Sequence, residues 1–230
     1  MTLSMGLRPV SPVLPPVSRR LLDMVEISLR ATALSDGAVA KWVREHSVAV
    51  EVRTGSELST AIGASIHPMR LLVHADGMTA DELVFCTANL GAGRLVVTTV
   101  EHVELLASAA VPHRRQRVLI GMPSVAAADV VSAVLAGPRL DLVGLSGEIG
   151  SGAHHFVRCS AAVGDLLVEM AGIRRERGVV LTRIALGGEF ACFGGDLYGC
   201  AEEIEATLDD ACATLRFPRP MVVISAQRWS

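Results

Sequence analysis

Short apolar runs alternate with longer amphipathic stretches along this chain, and the alternation predicts eight strands and seven helices. The predicted strands cover residues 25–29, 48–52, 71–74, 94–98, 117–121, 181–186 and 221–225, and the sixth strand lies in residues 142–152. Strands that alternate with helices in this way form parallel sheets with crossover helices. Eight such units favour a closed (β/α)8 TIM barrel over an open sheet. No Gly-x-Gly-x-x-Gly motif opens the first helix, which argues against a dinucleotide-binding sheet.

Residues 142–152 are the most informative single stretch, because an apolar run there ends in a cluster of small and polar residues. This pattern is typical of a buried parallel strand that leads into a ligand-facing loop. In a TIM barrel the ligand site lies at the carboxyl ends of the strands. The candidate site residues are therefore those at the predicted strand ends: Arg30, Glu51, His74, Thr98, Gly121, 146–151, 187–190 and 225–228.

The chain is predicted to form one domain preceded by a flexible N-terminal lead-in. Residues 1–17 contain four prolines and lack the apolar segment of a secretory signal, which favours a partly extended, flexible stretch. Residues 18–230 form the predicted barrel. Half of all residues are hydrophobic but only 3% are aromatic, so the core must be built from valine, leucine, isoleucine and alanine.

Charge and composition argue against several classes of partner. A formal net charge of −3 gives no support for nucleic acid binding, and no apolar run approaches the ~20 residues that span a bilayer. Five scattered cysteines without metal-ligand spacing indicate free thiols in a reducing compartment, so we expect a cytoplasmic protein. We predict no metal site, since the adjacent His154 and His155 would point in different directions.

Several motifs at the strand ends together resemble the barrel of the diaminopimelate/ornithine decarboxylase family, the alanine racemase-like enzymes that use pyridoxal phosphate (PLP). They are residues 55–58, 73–77, 144–151, 186–190 and 224–228, in the family's order. The resemblance extends from about Val25 to Arg228. It implies an alanine racemase-like TIM barrel. We further expect this chain to lack the C-terminal β-domain that follows the barrel in the family.

The resemblance also implies a lysine at the end of the first strand, where the family holds PLP as a Schiff base. Here that position is Arg30. A guanidinium stays protonated and cannot act as the amine nucleophile. The chain has one lysine, Lys41, and the predicted helix places it on the outside of the barrel.

Three further positions depart from the family's pattern. Glu148 stands where the family has the histidine that stacks on the PLP ring. Glu189 replaces the third glycine of the phosphate-binding turn, and Ser225 replaces the glutamate that keeps the pyridine nitrogen protonated. Two additional carboxylates would repel a phosphate dianion. We therefore expect Arg30 to offset one of them by pairing with Glu148 or Glu189 in the barrel mouth.

Part of the family's cofactor-binding set remains, and by resemblance it forms a residual phosphate or PLP cradle. Its members are Ser151, Gly187, Gly188, Arg228 and His74. Acids also remain at Glu57 and at Glu51, where the family has aspartate. We expect no bound cofactor, and at best weak binding of PLP or phosphate.

Together, these features predict a decarboxylase-like barrel that has lost Schiff-base catalysis and binds a small anionic ligand or a partner protein. No catalytic residue is assigned. The alternative is a PLP-dependent amino-acid decarboxylase- or racemase-like enzyme, or a repurposed lyase, that uses the same barrel mouth. Because the family generally pairs through the barrel and its β-domain, the resemblance also implies a homo-oligomer or a heteromer with a full-length relative.

Overall fold

Eight parallel strands close into a barrel in the order of the sequence, as predicted. The structure is a computed structural model that describes residues 25–46, 48–123, 126–149, 155–188 and 197–226. The strands are β1 (Glu26–Arg30), β2 (Ala49–Val52), β3 (Leu71–His74), β4 (Arg94–Val97), β5 (Gln116–Met122), β6 (Leu140–Ile149), β7 (Arg183–Gly188) and β8 (Met221–Ala226). Strand β1 pairs with both β2 and β8, which completes the closure.

Seven α-helices connect the strands within the described ranges. They are α1 (Gly37–Glu45), α2 (Gly55–Gly63), α3 (Ala80–Val84), α4 (Val100–Ala109), α5 (Ala127–Ala136), α6 (His155–Arg177) and α7 (Leu197–Leu215). Polar side chains cap two of these helices. Asp36 accepts hydrogen bonds from the first turn of α1, and Thr79 forms a reciprocal capping box with Glu82 at α3. These contacts satisfy amide groups that have no partner inside the helix.

Strand β6 begins two residues earlier than predicted, at Leu140, and β7 covers Arg183–Gly188 instead of residues 181–186. Backbone pairing continues to Glu148 opposite Gly187 and Ile149 opposite Gly188. Gly187 and Gly188, expected in a turn after β7, are therefore its last two residues. Sheet pairing uses backbone groups, which glycine also supplies, so a hydrophobicity pattern misses glycines at the end of a strand.

The barrel interior is arranged in layers that alternate in polarity. Its middle layer is apolar and consists of Leu72, Val96, Leu119, Ala185 and Val223. A larger apolar cluster lies between the strands and the surrounding helices, and it is built mainly from valine, leucine, isoleucine and alanine as the composition predicts. The apolar middle layer therefore separates the polar groups at the two ends of the barrel.

An ion cluster, which we call the floor, closes the amino-terminal end of the barrel. Glu26, the first residue of β1, accepts hydrogen bonds from Arg94 at the start of β4 and Arg183 at the start of β7. Oε2 of Glu26 lies 3.0 Å from Nη1 of Arg94 and 2.8 Å from Nη1 of Arg183. Burial acts to raise the pKa of Glu26, but the two arginines outweigh it and lower that pKa below its usual value.

Two further predictions concern the N-terminal lead-in and membrane-spanning segments. The predicted lead-in, residues 1–17, lies outside the described residues. Among the described helices, none combines the length and the apolar character that crossing a membrane requires.

Candidate functional site

A layer of polar side chains lies above the apolar middle layer, at the carboxyl end of the barrel. Its members come from five strands and are Ser28, Glu51, His74, Ser146 and Ser225. The space that they enclose with the apolar layer beneath is too small for a water molecule. Ligands can therefore reach these groups only from the mouth above.

Glu51 is the acid of this layer, and only 1% of its surface is exposed. Its Oε1 accepts from Arg53 Nε at 2.6 Å, and its Oε2 accepts a hydrogen bond from the Ser225 hydroxyl. Nε2 of His74 lies 2.9 Å from Oε1. Burial acts to raise the pKa of Glu51, but His74, Arg53 and Ser225 lower it to about 2. Glu51 is consequently ionised at neutral pH.

Arg53 bridges the two acids of the mouth. Its Nη2 lies 2.6 Å from Oε1 of Glu51 and also contacts Oε1 of Glu148. Burial alone would lower the pKa of this guanidinium, but the charges of Glu51 and Glu148 outweigh it and raise that pKa. We call Glu51, Arg53, His74 and Glu148 the mouth cluster. Sequence reasoning missed Arg53, although it follows Glu51 by two residues and thus lies on the same side of the chain as a strand alternates.

Arg30 makes a different ion pair from the one expected. Its Nη2 lies 2.6 Å from Oε1 of Glu57, whose side chain is 6% exposed. The other carboxylate oxygen of Glu57 accepts from the backbone amide of Arg53 at 2.7 Å. The predicted Arg30–Glu148 pair is wrong. Glu148 pairs with Arg53 instead, and Arg30 pairs with Glu57 in the first turn of α2. The predicted alternative, Glu189, lies outside the described residues.

A cavity of about 390 Å³ opens above the mouth cluster. Its lining includes Arg53, His74, Ser146 and Glu148 of the polar end of the barrel. The other lining residues are Asp76, Gly77, Val96, Thr98, Gly121, Met122 and Pro123. Two predicted strand-end residues, Thr98 and Gly121, therefore do contribute to the mouth.

Asp76 adds a further negative charge to this cavity. Its Oδ1 accepts a hydrogen bond from the Thr98 hydroxyl and lies 3.9 Å from Nδ1 of His102. With Glu51, Glu148 and Asp76 set against Arg53, the described charges near the cavity favour a cation over an anion. This balance gives no support to the small anionic ligand expected from the sequence.

Gly187, a member of the predicted phosphate cradle, lies directly under the mouth cluster. A Cβ at position 187 would stand 2.7 Å from Oε1 of Glu148 and 2.8 Å from Nη2 of Arg53. A side chain at position 187 would therefore displace the ends of Glu148 and Arg53. The cradle residues Ser151 and Arg228 lie outside the described residues, and so does Glu189.

The described mouth residues do not fit PLP held as a Schiff base. Arg30 offers a guanidinium that is already paired with Glu57, and a guanidinium cannot form the imine. Lys41 lies on α1 outside the barrel, with 70% of its side chain exposed and Nζ 3.9 Å from Glu45. At the position where the family carries a glutamate, Ser225 supplies a hydroxyl that is committed to Glu51. No covalent PLP chemistry can therefore be derived from these side chains.

Relatives among characterised proteins are diaminopimelate decarboxylases. The chain is 27% identical over 239 residues to the enzyme of Actinosynnema pretiosum, covering 91% of this chain and 54% of the relative. It is 27% identical over 191 residues to that of Corynebacterium efficiens, covering 72% of this chain and 40% of the relative. This chain thus spans about half or less of the length of these relatives. No protein-family model matches it.

Solved structures of decarboxylases share the fold of this chain. The diaminopimelate decarboxylase of M. jannaschii, solved with L-lysine, matches with a TM-score of 0.75 at 13% identity, over 91% of this chain and 56% of the other. The arginine decarboxylase of Paramecium bursaria Chlorella virus matches with a TM-score of 0.72 at 14% identity, over 91% and 59% of the two chains. The resemblance predicted from the motifs is confirmed: this chain is similar in sequence to diaminopimelate decarboxylases, and its barrel has the fold of solved diaminopimelate and arginine decarboxylases.

Proposed function

We propose that this chain is a decarboxylase-related barrel that does not form a Schiff base with PLP and binds a small molecule at its mouth. The observation that carries the proposal is Arg30 at the end of β1, hydrogen-bonded to Glu57. This arginine stands at the position where the family resemblance implies the PLP lysine. The guanidinium keeps the positive charge of a lysine but removes the amine that covalent catalysis needs.

The mouth cluster supports the proposal independently of Arg30. Arg53 and Glu148 cover Gly187, where the resemblance implies a phosphate-binding turn. A carboxylate so close to that turn disfavours a phosphate dianion, because like charges a few ångströms apart repel by several kcal/mol at an effective dielectric of about 20. The cavity of about 390 Å³ still leaves room for a small ligand.

The test is to incubate the chain with PLP, reduce it with borohydride and map the labelled peptides by mass. The chain's single lysine gives a clean control, because Lys41→Arg removes every side-chain amine. We expect the label, if any, at Lys41 or the N-terminal amine, at substoichiometric levels and with no dependence on Arg53 or Glu148. One PLP per chain at Lys41, lost on mutation of the mouth cluster, would overturn the proposal because it would place that lysine at the mouth.

An enzyme that uses the same mouth is the second candidate. Its support is the relationship to diaminopimelate decarboxylases, together with a cavity whose lining includes a histidine and two carboxylates. Such an enzyme would be a repurposed lyase or would use PLP without a lysine, with His74, Glu148 or Asp76 as proton-transfer groups. Turnover of diaminopimelate, ornithine, lysine or arginine by the unmodified chain, lost in Glu148→Gln, would favour this candidate.

Two expectations from the sequence remain proposals. We propose weak, millimolar binding of phosphate through Ser151, Gly187, Gly188 and Arg228; calorimetry on the chain and on Arg228→Ala tests it. We also propose that the chain self-associates or pairs with a full-length decarboxylase. Sedimentation at micromolar concentration, alone and mixed with such a relative, decides this, and a monomer in both runs would contradict it.

A further inference from the structure

Three metal-ligating side chains converge at the barrel mouth, from β2, β3 and β6. One oxygen each of Glu51 and Glu148 and one ring nitrogen of His74 all lie within 4.8 Å of one another. Bonds of about 2.1 Å to one ion would place neighbouring ligand atoms roughly 3 to 4.2 Å apart. Nε2 of His74 and Oε1 of Glu51 are already 2.9 Å apart. Closing the site therefore needs only a small movement of Glu148, which is the most exposed of the three at 47%.

His74 supplies a buried ligand atom at this site. Its Nε2 has no access to solvent and lies 2.9 Å from Oε1 of Glu51, the distance of an ion pair. An unprotonated imidazole nitrogen is a common metal ligand. Nε2 and Oε1 are therefore placed to share one ion.

The guanidinium of Arg53 lies between the two carboxylates of this site. Its Nη2 contacts Glu51 and Glu148 at the same time, so the guanidinium occupies the position that an ion bound by both carboxylates would take. The side chain of Arg53 is 25% exposed and extends from the end of β2 toward the cavity. It can therefore exchange with a metal ion by turning outward into solvent.

We propose that a divalent transition-metal ion binds at the barrel mouth through Glu51, His74 and Glu148, in exchange for Nη2 of Arg53. Two carboxylates balance the ion's two positive charges, so the site is neutral only when the guanidinium leaves. One nitrogen and two oxygen ligands suit manganese, iron, cobalt or zinc better than calcium or magnesium, which prefer oxygen alone. The remaining coordination positions face the cavity, where water or a ligand can fill them.

This inference goes beyond the proposed function and fails or holds separately from it. Trapping of PLP tests an amine, whereas metal binding tests three side chains that include no amine. A chain without a PLP adduct can bind the ion or not, and the two results are measured in different experiments.

The experiment is a titration of the tag-free chain with Mn²⁺, in which electron paramagnetic resonance follows the free ion. Manganese is chosen because it favours oxygen and nitrogen ligands over the cysteine thiols. We expect one saturable ion per chain, weakened by roughly tenfold or more in Glu148→Gln and tightened by about tenfold in Arg53→Met, the size of one charge-assisted contact.

Glu45→Gln is the matched control. Glu45 is exposed to a similar degree, 56%, but lies on α1 beside Lys41, and its variant should bind as the parent does. The absence of a saturable site in the parent chain would overturn the proposal. So would binding that Glu148→Gln leaves unchanged, or binding seen in Arg53→Met alone, which would mean that Arg53 excludes metal from the natural site.

Discussion

The two ends of the barrel hold charged clusters of opposite composition. At the floor, one acid, Glu26, lies between two arginines, Arg94 and Arg183. At the mouth, one arginine, Arg53, lies between two acids, Glu51 and Glu148. The floor therefore carries a surplus of positive charge and the mouth a surplus of negative charge.

The clusters also differ in their surroundings. Each carboxylate oxygen of Glu26 has an arginine partner. At the mouth, a cavity of about 390 Å³ opens beside Arg53, His74 and Glu148. We infer that the floor stabilises the fold, while the mouth binds a ligand.

The largest effect is expected at the floor. Glu26→Gln leaves Arg94, whose side chain is only 7% exposed, without its counter-charge. We expect the free energy of unfolding to fall by about 2–4 kcal/mol, the lower part of the range for breaking a buried pair because Glu26 itself is partly exposed. Urea denaturation measures the change.

Glu205→Gln is the matched control for the floor. Glu205 is about as exposed as Glu26, 27% against 29%, and it also pairs with an arginine, but Arg219 is 38% exposed. This variant should lose less than about 1 kcal/mol, as surface pairs do. Equal losses in the two variants would contradict the structural role of the floor.

The next effect concerns the one mouth contact that we expect to support stability. Ser225→Ala removes a hydroxyl donor from Glu51, which is buried and ionised. The free energy of unfolding should fall by about 1–3 kcal/mol. Ser28→Ala is the control: Ser28 is equally buried and lies opposite Ser225 in the pairing of β1 with β8, but it donates to a neutral carbonyl at 3.3 Å. A loss for Ser28→Ala as large as that for Ser225→Ala would contradict the charge argument.

The floor should also make stability depend on pH. The pKa of Glu26 is lower in the folded chain than its usual value, because the two arginines outweigh the effect of burial. A lowered folded pKa stabilises the protein fully above the unfolded value of about 4.3 and progressively less as pH falls toward the folded pKa. The difference in unfolding free energy between the parent and Glu26→Gln should therefore shrink below about pH 4.3. A difference that stays constant from pH 7 to pH 3.5 would refute this assignment.

The smallest effect on stability is expected at the rim of the mouth. Glu148 is 47% exposed, so Glu148→Gln should change the free energy of unfolding by less than about 1 kcal/mol although it breaks the contact with Arg53. Urea denaturation of the parent and the variant measures it. A loss that matches Glu26→Gln would mean that the mouth cluster is as structural as the floor.

The sequence predicted the barrel well because strand and helix periodicity depends on local patterns. The eight strands, the seven helices and the caps at Asp36 and Thr79 all follow from neighbouring residues. Periodicity was less reliable at β6 and β7, where polar residues and glycines continue the pairing. Strand ends are also where the site lies, so small boundary errors matter most there.

The ion pairs of the mouth could not be predicted in the same way. Which acid Arg30 contacts depends on side-chain reach across three elements: Arg30 pairs with Glu57 in the first turn of α2, whereas Glu148 pairs with Arg53. Arg53 lies outside the motifs, so they do not predict its contacts. The grouping of Glu51, His74 and Glu148 likewise needs the closed barrel, which brings β6 near β2 and β3.

The most direct test of the account is the activity of Arg30→Lys. If the missing lysine were the single obstacle, this variant would recover PLP-dependent decarboxylation. The change instead involves the mouth as a whole, because Glu148 and Ser225 also differ in kind from what the resemblance implies, and Glu148 is bound there by Arg53. With PLP present, release of CO₂ from diaminopimelate, ornithine, lysine and arginine should stay at the level of the parent chain. Turnover of any of these amino acids above that level would contradict the account.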